Sequence, residues 1–171
     1  MLKKIVFLLE DEGQSKAVEE LKKNMGFYNK KIFYGNLNDW KEEGMEKCAK
    51  DDILFVTDSS ALLCELKKRG DYAIALLHEN NRTEDLSGAA YAITDIEELS
   101  WDSFEKAYQR MAGKPWKIVE TERCVIRETI VEDVEKFYGI YAEPSITYYM
   151  EGLFANPADE IEYTKKYIQE I

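Results

Sequence analysis

Histidine, cysteine and proline are all scarce in this chain, with one, three and three copies in 171 residues. Cys48, Cys64 and Cys124 are odd in number, widely spaced and flanked by apolar residues, which excludes a disulfide framework or a cysteine metal site. They read as reduced core residues of a cytoplasmic protein. The single His78 has no histidine or cysteine nearby, a weak signal for metal binding or catalysis, so a surface loop is its expected place. Few prolines and no low-complexity tract exclude collagen-like and disordered chains. No apolar run reaches membrane-spanning length. The opening MLKKIVFLLEDE meets acids too early for a secretory leader and reads as a buried strand. Basic residues are outnumbered, 23 against 34 acidic for a net charge of −11, which argues against nucleic acid or an anionic membrane as partner.

What is present is a core-forming sequence, 45% hydrophobic. At this length a chain buries about 70% of its unfolded surface and folds without a metal or disulfides. Up to about residue 112, short apolar runs alternate with amphipathic segments. Ile5–Leu9, Ile32–Tyr34, Ile53–Val56, Tyr72–Leu77 and Ala89–Ile93 read as strands. Between them, Ser15 opens a helix stopped at Gly26, and Asn38 or Asp39 opens one to about Lys50. Leu62, Leu63 and Leu66 mark a third helix closed at Gly70, and Thr94 or Asp95 opens a fourth running to Met111. Strands separated by helices imply right-handed crossovers. The expected fold is α/β, a Rossmann-like parallel sheet with helices on both faces, over residues 1–114.

Gly113-Lys114-Pro115 punctuates the chain, and the pattern then changes. Ile118–Ile126 reads as extended and Val131–Ala142 as helical. Asn156-Pro157 caps a last helix whose Ile161, Tyr167, Ile168 and Ile171 form an apolar face. Two helices and one strand cannot close a core. Residues 115–171 are therefore expected to open an incomplete α+β domain continuing outside this chain. The alternative is that they pack on the first domain or on a second copy, giving a homodimer.

Ligands in open parallel sheets sit at the carboxyl ends of the strands. There the sequence places Glu10, Asp11 and Glu12 after the first strand and Asp58, Ser59 and Ser60 after the central one. Clustered carboxylates could hold Mg2+, and Ser59 and Ser60 at a helix start could cradle a phosphate. Asp58 could equally be a helix cap.

Residues 51–99, from DDILFVTDSS to AITDIEEL, resemble the second half of a haloacid-dehalogenase-like (HAD-like) phosphatase core, with Asp58 on that family's metal-binding acidic position. The resemblance fails at the nucleophile. Where the family carries Asp-x-Asp-x-Thr, this chain has Glu10-Asp11-Glu12-Gly13, and a glutamate there sets its carboxylate out of line for attack on phosphorus. The expectation is a degenerate domain without phosphatase activity, kept as scaffold or small-ligand sensor. A receiver domain of response regulators is disfavoured, because a leucine-rich helix begins directly after Ser60.

Residues 120–154 resemble the opening of a GNAT-superfamily N-acetyltransferase. The first strand of that branch is matched by Thr121-Glu122-Arg123-Cys124-Val125-Ile126-Arg127, followed by Asp133, an aromatic helix, Pro144 and Tyr149-Met150. The resemblance implies acetyl-CoA as cofactor of a complete parent protein and an amine, small molecule or peptide, as acceptor. The Gln/Arg-x-x-Gly-x-Gly/Ala loop that holds acetyl-CoA in that superfamily does not occur in the 171 residues, so this chain by itself is expected to be inactive. Its acids and tyrosines, among them Glu143, Tyr148, Tyr149 and Glu151, could line a groove for a cationic acceptor, or form a solvated acidic face over an aromatic core.

Overall fold

The computed structural model describes residues 1–36, 40, 52–148 and 156–170, which divide into two compact units, Met1–Lys114 and Pro115–Ile171. The first is mixed α/β around a five-stranded sheet. Its strands are β1 (Lys4–Leu8), β2 (Ile32–Gly35), β3 (Ile53–Thr57), β4 (Tyr72–Leu76) and β5 (Ala92–Ile93), all parallel, in the order β2-β1-β3-β4-β5.

The continuous apolar runs of β1 and β3 are explained by burial on both faces. Ile5 and Phe7 of β1, with Leu54 and Val56 of β3, pack into one core layer. Val6, Leu8, Ile53 and Phe55 pack into the other. Helix α1 (Ser15–Asn24) covers the first face with Val18 and Leu21, and α3 (Trp101–Met111) adds Phe104 and Tyr108. Helix α2 (Ser60–Lys68) covers the opposite face with Leu63 and Leu66. Each such side chain, fully buried, contributes about 1.5–3 kcal/mol of transfer free energy. Phe7 and Phe104 meet edge to face, and Trp40, buried, lies edge-on between Phe33 and Phe55.

The stops after α1 and α2 lie where glycine permits a left-handed backbone, Gly26 at φ 51° and Gly70 at φ 75°. The expected helix from Thr94 or Asp95 does not begin there. Asp95 itself is left-handed, at φ 46°, and a single tight turn at Ile96–Glu98 intervenes before Ser100 caps α3. The fifth strand is likewise only two residues long, not the five read from the sequence. The helix expected from Asn38 or Asp39 to Lys50 lies, Trp40 apart, outside the described residues.

The cysteines require a correction. Cys64 is exposed because it sits one residue, about 100° around the helix, from inward-facing Leu63. Cys124 is exposed in a turn, and Cys48 lies outside the described residues.

In the second unit the expected single extended segment is a hairpin of β6 (Lys117–Glu120) and β7 (Val125–Arg127), antiparallel. Thr121 makes the turn, its hydroxyl accepting the Cys124 amide at 3.1 Å. Helix α4 (Val134–Tyr141) follows a tight turn at Val131–Asp133. Pro144 opens a short α5 (Pro144–Thr147), and α6 (Pro157–Glu170) packs on α4. Asn156 caps α6, its Oδ1 accepting the amides of Ala158 and Asp159 at 2.9 and 3.1 Å. Ile161 on α6 is half-buried and Tyr167 exposed, while the Ile168 side chain and Ile171 lie outside the described residues.

Candidate functional site

The strand order reverses direction at β1, so the carboxyl ends of β1 and β3 flank a switch point where ligands bind in open α/β sheets. The sheet register brings Leu8 beside Thr57 there, and the loops that follow carry the acidic residues. Asp58 is buried, and its two carboxylate oxygens accept the backbone amides of Glu10 at 2.8 Å and Asp11 at 3.0 Å. It therefore ties the β1 exit loop to β3 and does not cap α2. That role belongs to Ser59, whose Oγ accepts the Leu62 amide.

Ser60 is engaged as well. Its amide, at 3.1 Å, and its hydroxyl both donate to Glu84. These two bonds hold the Glu84 carboxyl below its usual range, the hydroxyl contributing most. A side-chain carboxylate thus occupies the start of α2, where the sequence suggested a phosphate cradle.

His78, expected in a surface loop, is instead the centre of the cluster. Its side chain is 10% exposed, with Nε2 3.2 Å from Asp58 Oδ2 and Nδ1 3.4 Å from Asp11 Oδ2. The second contact is too poorly aligned for a hydrogen bond. Asn80 donates to Asp11 at 2.8 Å and, with the Gly13 amide, lowers its pKa, Asn80 contributing most. Buried Asn81 donates to the backbone carbonyls of Leu76 and Asp58 at 2.7 and 3.1 Å, fixing the β4 exit. Tyr34 at the end of β2 has its phenol pushed up, chiefly by burial and then by the charges of Glu12, Asp58 and Asp11.

Of the residues expected at this site, Asp11 and Asp58 converge on one imidazole. Glu10 contributes its backbone amide, and Ser59 and Ser60 serve the α2 terminus. His78, Asn80, Asn81 and Tyr34 were missed. The signal available was His78's position just beyond β4, at the same sheet edge as the acids. Among the described residues, no group of three or more His, Cys, Asp or Glu is arranged to hold a metal ion.

In the second unit, Arg127 at the end of β7 grips Asp133 with both guanidinium nitrogens, at 2.7 Å each, and Asp133 also accepts the Ile130 amide at 3.1 Å. This fork, planar on planar, sets the angle at which the chain leaves the hairpin for α4. Of the proposed acceptor-groove residues, Glu143 and Tyr148 are exposed beside α5, while Tyr149 and Glu151 lie outside the described residues. No family model, curated protein or solved structure matches the chain.

Proposed function

We propose that this chain is the N-terminal portion of a GNAT-superfamily N-acetyltransferase that moves acetyl from acetyl-CoA to an amine. Its first unit is a HAD-like, Rossmann-like domain without catalytic activity, serving as scaffold or regulator. The observation that carries the reading is the β6–β7 hairpin, its exit locked by Arg127 on Asp133, whose apolar residues lack cover. Ile118, Val119, Val125 and Ile126 are 44–56% exposed. Such strands are stable only when further strands or helices close over them. The motif from Thr121 to Arg127 suggests the family, and exposed Glu143 and Tyr148 beside α5 suit a cationic acceptor.

The scaffold role of the first unit is supported by Asp58, whose carboxylate is committed to two backbone amides and His78. Acetyl-CoA calorimetry on this chain and on the product of its full reading frame tests the reading. Binding by a longer product and none by this chain is expected, and a full product that does not bind overturns it. With Mg2+, p-nitrophenyl phosphate should not be hydrolysed, and turnover abolished by Asp58→Asn would overturn the scaffold role. The same exposed hairpin favours a second reading, a non-enzymatic module dimerising through this unit. Sedimentation separates the two, since a monomer disfavours it.

A further inference from the structure

A second feature of the first unit lies away from the strand ends. The segment after α1 and the start of α3 enclose a cleft of about 480 Å3, lined by Met25, Tyr28, Leu99, Trp101, Asp102 and Glu105 among others. That volume lies within the range of small-molecule sites. Tyr28 and Trp101 stack with centroids 4.8 Å apart and planes within 10°, a wall of aromatic surface. Lys31 brings its ammonium to 5.0 Å from the Tyr28 ring centroid and 5.2 Å from that of Trp101. The protein thus already places a cation of its own on this pair.

The polar lining has the matching sign. Asp102 pairs with Lys106 at 2.7 Å yet keeps 69% of its side chain exposed, and Glu105 accepts the Leu2 amide at 3.2 and 3.0 Å with its two oxygens. Carboxylates beside stacked aromatic rings, with Met25 and Leu99 supplying apolar surface, are the complement of an organic cation. Such an ion carries its charge on a methyl- or methylene-covered nitrogen. A neutral ligand would gain no ion–ion attraction from the acids. An anion would find Lys31 and Lys106 but also both carboxylates, the negative faces of the two rings and a chain of net charge −11.

We propose that the Tyr28–Trp101 cleft binds small organic ammonium ions, quaternary or alkylated, in competition with the ammonium of Lys31. The site is independent of the acetyltransferase reading, which concerns the other unit. Lys31 gives the proposal a sign that a purely structural aromatic stack lacks. Removing it frees the rings, so affinity rises, while removing the indole makes affinity fall.

The test uses the whole 171-residue chain, 15N-labelled, titrated with choline at constant ionic strength while the Trp101 indole resonance is followed. Its uncharged carbon analogue, 3,3-dimethyl-1-butanol, is titrated in parallel. Choline should shift the resonance saturably and the alcohol should not. Lys31→Met should tighten choline binding about threefold, and Asp102→Asn should weaken it by about the same factor, the scale of one exposed cation–π or charge contact. Trp101→Leu, followed through backbone amides around Tyr28, should lose the saturable response. No saturable shift, an equal response to the alcohol, or a Lys31→Met variant that binds no tighter would each overturn the proposal.

Discussion

β1 and β7 are both short apolar strands, yet they meet opposite fates. Every residue from Ile5 to Leu8 is fully buried, whereas Val125 and Ile126 are more than half exposed. Composition does not separate them, since Val and Ile occur in both. The difference is the number of covering layers. β1 has a strand on either side and helices on both faces, while the described residues of the second unit hold a single fully covered apolar side chain, Val134. Apolarity in a strand is a demand for neighbours, and among the described residues only those of the first unit meet it within their own unit.

The comparison breaks most sharply under truncation. Phe7→Ala should cost about 3–5 kcal/mol, because a cavity opens between β1 and α3. Ile126→Ala should stay within about 0.5 kcal/mol. Urea unfolding of the two variants measures both, and similar losses would mean that the hairpin is covered in solution.

A smaller effect is expected at the strand ends. Asp58→Ala strands the amides of Glu10 and Asp11 and leaves His78 without its Nε2 partner. Stability should drop by about 2–3 kcal/mol, with faster hydrogen exchange at those two amides. Exchange unchanged at both would show that the loop holds without the carboxylate.

The smallest effect tests the second unit through pH. The Arg127 hydrogen bonds hold the Asp133 carboxyl below its ordinary value of 3.8. A carboxyl depressed on folding contributes stability that is fully present above the unfolded pKa and is lost as pH falls through the folded one. The acid-side loss should therefore lie below pH 3.8, followed in the wild type by the side-chain resonance of Asp133 and in both proteins by the amide of Ile130, and Asp133→Asn should remove it. A titration at the ordinary carboxyl value would show the fork to be open in solution.

Much of the first unit is legible in the sequence because its signals are local. Val18, Leu21 and Met25 recur at helical spacing before Gly26, and the runs Ile53–Val56 and Tyr72–Leu77 announce buried parallel strands within a residue of their ends. The Asn156 cap is legible for the same reason, a side chain bonding amides two and three residues on. Asp95 defeated the reading, since nothing in its neighbourhood signals a left-handed residue without glycine. At the candidate site, Asp11 and Asp58 stood out as acids after strands, but their work did not. Asp58 looks like a cap and instead binds amides 47 and 48 residues away.

By itself, then, the sequence determined most of the described strands and helices of the first unit, where most of them stop, and which carry acids to the strand ends. Those features follow from side-chain periodicity and backbone conformation within a few residues. The tertiary structure alone decided that His78 sits between Asp11 and Asp58, that Glu84 closes the start of α2, and that Tyr28 stacks on Trp101 under Lys31. Each of these joins residues far apart in the chain, and such contacts are fixed by how the crossovers stack on the sheet rather than by local preference.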